Sequence, residues 1–107
     1  MTIQEQYENL EKTVRGYNPA ADFQHIRAAF EFAAEAHKDQ KRKSGEPYII
    51  HPLAVAQIVA EELRLDSESI EAALLHDVIE DTAATHEQVS KLFSPTIADL
   101  VEGVSKL

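Results

Sequence analysis

Apolar residues recur along this chain at spacings of three and four, and no segment alternates apolar and polar positions over the length of a strand. Ile3, Tyr7, Leu10 and Val14 form the first stripe. It closes at Gly16-Tyr17-Asn18-Pro19, where Asn-Pro favours a turn and glycine suits a helix C-terminus. Asp22 can cap a second helix, whose Phe23, Ile26, Phe30, Ala33 and His37 face inward; it ends near Asp39, ahead of Ser44-Gly45-Glu46-Pro47. A third helix opens at His51-Pro52. Proline suits the first helical position, which leaves His51 near the N-cap, with Leu53, Ala56, Val59, Ala60 and Leu63 as the buried stripe. Asp66 or Ser67 starts a fourth helix, which carries the chain through Leu74 to Thr82. Thr85 with Gln88 fits a capping box for a fifth, bearing Val89, Leu92 and Phe93. Ser94-Pro95 starts a sixth, with Ile97, Leu100, Val101 and Val104. The pattern predicts an all-α helical bundle of about six helices in one domain, a helix and turn over 1–20 leading a core over 21–107. Glu102 to Leu107 closes without a polar tail, and Val104 and Leu107 read as residues awaiting partners, so the domain is expected to be incomplete at its C-terminus.

Composition narrows the function classes. At 107 residues, with 44% hydrophobic and 27% charged, the chain can bury a modest core and is not of disordered type. The absence of cysteine excludes disulfides, thiolate metal sites and cysteine nucleophiles, so any metal must take nitrogen and oxygen ligands. No signal-like or membrane-spanning apolar run is present, and a cytoplasmic location with no membrane partner is the expectation. A formal net charge of −9 argues against a nucleic-acid partner. Against that background, Lys38, Lys41, Arg42 and Lys43 are four of the ten basic residues within six positions. Such a patch suits a small anion, although taken alone a solvated loop is the simpler explanation.

The chemistry concentrates in Leu74-Leu75-His76-Asp77-Val78-Ile79-Glu80-Asp81-Thr82. On one continuous helix His76 lies above Glu80, and Asp77 above both Glu80 and Asp81. An imidazole and three carboxylates on a core-directed segment are expensive unless paired or bound to a cation, which points to a metal site. His51, His76 and Asp77 supply two imidazoles and one carboxylate. That set admits Mn²⁺, Fe²⁺ or Zn²⁺, and oxygen-rich surroundings favour manganese. The separation of His51 and His76, 25 residues (76 − 51), matches no short motif, so their pairing needs the third and fourth helices to pack together. His37, on the apolar side of the second helix, reads as a hydrogen-bonded core histidine.

Arg42-Lys43-Ser44-Gly45-Glu46-Pro47-Tyr48-Ile49-Ile50-His51-Pro52, followed by Leu74 to Thr82 and Glu102 to Leu107, resembles the hydrolase domain of RelA/SpoT-type alarmone enzymes, members of the HD phosphohydrolase superfamily. The resemblance runs from about Asp22 to Leu107. It implies an HD-domain-like bundle and Mn²⁺-dependent hydrolysis of the 3′-pyrophosphate of the guanine nucleotides (p)ppGpp, giving GDP or GTP plus pyrophosphate. It implies His51, His76 and Asp77 as three of four metal ligands, and Glu80 and Asp81 as the acidic pair that positions or activates water. Arg42 would stack on guanine, with Lys43 and Ser44 lining the nucleotide pocket. The family's fourth ligand, an aspartate, lies downstream of the segment resembling Glu102 to Leu107, and Asp99 does not match it. The chain alone is therefore expected to bind metal weakly, to hydrolyse slowly or not at all, and to self-associate through uncovered apolar faces. The resemblance leaves three readings: the hydrolase part of a long bifunctional synthetase/hydrolase, a stand-alone small alarmone hydrolase, or a non-catalytic regulatory module. The intact His51, His76, Asp77, Glu80 and Asp81 speak against the last.

Overall fold

Side-chain caps start most of the helices. The Thr2 hydroxyl accepts from the Glu5 amide and the Glu5 carboxylate accepts from the Thr2 amide, opening α1 (Ile3–Tyr17). Asp22 accepts from the His25 amide at the head of α2 (Phe23–Ala36), and Asp66 accepts from the Ser69 amide at the head of α4 (Ser67–Leu75). Thr85 and Gln88 form the expected capping box of α6 (His86–Leu92), and the Ser94 hydroxyl accepts from the Ile97 amide at the start of α7 (Pro95–Ser105). These elements, with α3 (Ile50–Ile58) and α5 (Val78–Asp81), come from a computed structural model that describes residues 2–105 and the side chains of 2–103. The expectations placed on the Val104 side chain and on Leu107 fall outside the described residues.

The fold is all-α. Among the described residues the one extended pairing is an isolated antiparallel bridge between Lys41 and Pro47. At the centre lies α4, packed against α2, α3 and α7, with Ile70, Leu74 and Leu75 fully buried. Each such side chain contributes about 1.5–3 kcal/mol by leaving water. Tyr7 of α1 stacks on Phe30 of α2 at 4.4 Å between ring centroids, and Phe93 after α6 meets Phe32 edge-on at 5.9 Å.

Three local expectations need correction. The third helix begins earlier than proline at its first position implies: Ile49 is the N-cap, so His51 and Pro52 both lie inside the first turn. Proline is tolerated there because first-turn amides have no intrahelical acceptor. Beyond Ile58 the helix widens into a π-helical turn over Val59–Leu63, ending at Arg64 with φ 49°. The wider winding rotates the later positions. Ala60 stays buried while Leu63, expected in the stripe, is 61% exposed. Finally, the predicted fourth helix is broken: α4 stops at Leu75 and α5 starts at Val78, with His76 and Asp77 in the turn between them. His76 and Asp77 therefore leave the regular helix, although the Asp81 amide still donates to the Asp77 carbonyl and keeps those two residues one turn apart.

Candidate metal centre

The break turns His76 and Asp77 toward one another. His76 Nε2 lies 3.1 Å from Asp77 Oδ2, and His51 Nε2, from the first turn of α3, lies 3.6 Å from the same oxygen. The two imidazole rings meet edge-on at 5.4 Å. One ligand atom from each of His51, His76 and Asp77 lies within 4.8 Å of the others, a spacing open to a single cation. Two features suit that role. His76 Nδ1 is 2.6 Å from the Ala73 carbonyl, so it carries the proton and leaves the Nε2 lone pair facing the cluster. Burial, against the opposing pull of Asp77, holds His51 below its ordinary imidazole range, and the neighbouring His76, Arg42 and His37 act in the same direction as burial. A neutral imidazole is the ligating form. Nitrogen and carboxylate donors fit a divalent first-row cation.

Asp77 occupies the N-cap position of α5 but makes no side-chain cap. Its Oδ2 instead accepts a 2.8 Å hydrogen bond from the Tyr48 hydroxyl, which also lies 3.3 Å from Asp81 Oδ2. The Tyr48 ring packs on His37 at 4.7 Å and against His51 at 5.8 Å. His37 is buried, its Nδ1 is 2.7 Å from Gln40 Oε1, and its Nε2 has no hydrogen-bond partner. Gln40 Nε2 in turn donates to the Asp81 carbonyl. Tyr48 and Gln40 are the members of the site that sequence reasoning missed. Neither breaks the local pattern, and Tyr48 was visible only as part of the stretch leading to His51.

The basic loop forms a tight hairpin. The Arg42 amide donates to the Glu46 carbonyl and the Gly45 amide to the Arg42 carbonyl, with Gly45 at φ +90°, a conformation glycine adopts without strain. Lys41, Arg42, Lys43, Ser44, Glu46 and Tyr48 line a hollow of about 600 Å³. Tyr48 thus borders this hollow and touches Asp77. Arg42, Lys43 and Ser44 are exposed, as are Glu80 and Asp81. Of the residues singled out in the sequence, the fold brings His51, His76 and Asp77 together and joins Asp81 to them through Tyr48. Glu80 faces solvent, and Arg42, Lys43 and Ser44 line the neighbouring hollow. A second, mainly apolar groove of about 490 Å³ includes His51, Val55, Val59, Leu65, His76 and Leu100 in its wall.

A family model described as the HD domain matches residues 29–107, a span that includes both histidines and the aspartate of the cluster. The chain belongs to the HD domain family. Among known proteins, the bifunctional (p)ppGpp synthase/hydrolase SpoT of Escherichia coli strain K12 is 52% identical over 101 residues, covering 94% of this HD-domain chain and 14% of the relative. The guanosine-3′,5′-bis(diphosphate) 3′-pyrophosphohydrolase of Aquifex aeolicus strain VF5 is 53% identical over 100 residues, with the same two shares. A GTP pyrophosphokinase of Myxococcus xanthus is 52% identical over 95 residues, covering 89% of this chain and 12% of the relative. A solved structure described as a metazoan ortholog of SpoT that hydrolyzes ppGpp and plays a role in starvation responses superposes with a TM-score of 0.72 at 38% identity. That match covers 76% of this chain and 47% of the other. The chain thus spans about a seventh of the length of the curated relatives it matches. No helix among the described residues is long and apolar enough to cross a membrane.

Proposed function

We propose that this HD domain is the hydrolase part of an alarmone enzyme and removes the 3′-pyrophosphate from (p)ppGpp in the cytoplasm. The observation that carries the reading is the convergence of His51 Nε2 and His76 Nε2 on Asp77 Oδ2. His51, His76 and Asp77 would hold one divalent cation, Mn²⁺ being favoured by the mixed nitrogen and oxygen donors and the nearby carboxylates. Bound there, such an ion supplies charge neutralisation to a phosphoryl group and acidity to a water. Asp81 and Glu80 supply carboxylates able to accept the proton that water loses. Asp81 is the closer of the two, sharing the Tyr48 hydroxyl with Asp77. Arg42, at the rim of the hollow, offers a planar cation for the guanine face, and Lys43 and Ser44 offer donors to the nucleotide. The relatives' printed activities support the same substrate class.

The test is Mn²⁺ titration by calorimetry, with pyrophosphate release from ppGpp measured in parallel. His76→Ala and Asp77→Ala are expected to abolish Mn²⁺ binding and any release. Retention of both by either variant would sink the proposal. Protons compete with the cation for the imidazoles, so affinity should fall as the solution is acidified. Self-association through the apolar groove is part of the same proposal, since Leu65 and Leu100 in its wall are 38% and 42% exposed.

A further inference from the structure

We infer that Tyr48 is a positioning residue of the metal centre, holding the Asp77 carboxylate against the two imidazoles and tying it to Asp81. The inference rests on reading His51, His76 and Asp77 as metal ligands. Three observations carry it. The Tyr48 hydroxyl donates at 2.8 Å to Oδ2 of Asp77, the oxygen that both imidazoles approach, while Asp81 Oδ2 lies 3.3 Å from the same hydroxyl. A phenol has a single proton to donate, so the shorter contact holds it and Asp81 stands within reach of the same group.

The second observation is the cap that Asp77 does not make. A capping aspartate has extended backbone and accepts from a first-turn amide; Asp77, at φ −98° and ψ −5°, lies in the helical region and makes no such bond. The α5 backbone therefore does not fix the carboxylate. Tyr48 supplies the bond that keeps it in the site. Thirdly, the phenol is itself fixed. Its ring lies between His37 and His51, its backbone amide donates to the Gln40 carbonyl at 3.0 Å, and the Gln40 side chain bridges His37 and the Asp81 carbonyl. A hydroxyl held from several sides can orient a ligand with little loss of freedom on binding.

Tyr48→Phe keeps the ring contacts and deletes only the donor. Mn²⁺ affinity should fall about tenfold, the low end for loss of a residue supporting a ligand. The thermal midpoint without metal should stay level, since the ring contacts are kept. Unchanged affinity in Tyr48→Phe overturns the inference. So does an affinity loss accompanied by a clear fall in the metal-free midpoint, which marks a merely structural role. His51→Ala separates this from failure of the underlying reading. If the unaltered chain binds no Mn²⁺, or binds it equally after His51→Ala, the metal assignment falls and the Tyr48 inference falls with it. If His51→Ala abolishes binding and Tyr48→Phe does not, only the inference falls.

Discussion

Glu71 is an acid where the core would accept a hydrocarbon. It is 1% exposed in the middle of α4, its Oε1 has no hydrogen-bond partner, and the nearest cationic candidate, His25 Nδ1, is 4.0 Å away. Burial, reinforced by the carboxylates of Asp22, Glu68 and Asp66, pushes it up from an ordinary 4.5 to about 7. Between those values the folded chain binds more protons than the unfolded one. The stabilisation by the neutral form is complete below the unfolded pKa and is lost as pH rises through the folded pKa. Glu71→Gln should therefore raise stability at pH 8 by up to about 3 kcal/mol and change it little near pH 4.5, as read by urea denaturation at both values. Equal pH dependence in the two proteins would contradict this. Residue identities alone did not expose Glu71, because its environment comes from α2 and the 66–68 turn as much as from its own helix. Tyr48 is a second such case, while His51, His76 and Asp77 stood out because ionisable groups are rare beside Leu, Val and Ile.

At the scale of elements, the stretch from α4 to α5 shows where periodicity stops being informative. Both halves have helical spacing, and only the turn at His76–Asp77 separates them. A four-residue helix has no stability of its own, since nucleation outweighs the few hydrogen bonds it makes. Buried Val78 and the Gln40 bond to the Asp81 carbonyl hold α5 in place. Gln40→Ala should therefore speed hydrogen exchange at the amides of Asp81 and Thr82, which donate to Asp77 and Val78, by about tenfold. Exchange at Leu74 and Leu75 should hardly change. Identical rates across α5 would show that Gln40 is dispensable. The π-helical turn after Ile58 is the other departure: one wider turn leaves Leu63 exposed although the sequence stripe continues through it.

Over the whole molecule, the exposed apolar residues gather meaning from what they line. Leu65 and Leu100 sit in the wall of the groove that also includes His51 and His76. Weight-average mass by sedimentation should rise with concentration, and Leu100→Asp should reduce that rise by placing a charge in the contact. A clean monomer at high concentration in the unaltered chain would remove the self-association proposal. Leu100 is 42% exposed, so the substitution should leave the monomer's stability nearly unchanged.

The sequence by itself determined the all-α class, the caps at Asp22, Thr85 and Ser94, a fourth helix starting at Asp66 or Ser67, and the three metal-ligand candidates. Helical periodicity, capping and the expense of burying charge are local rules that one chain displays directly. Only the tertiary structure decided that His51 crosses to His76 and Asp77, that the Tyr48 hydroxyl reaches the Asp77 carboxylate, and that Glu71 Oε1 is buried without a hydrogen bond. Those facts depend on distances between residues far apart in the chain, fixed by how α2, α3 and α7 pack on α4, and spacing along one helix carries no record of them.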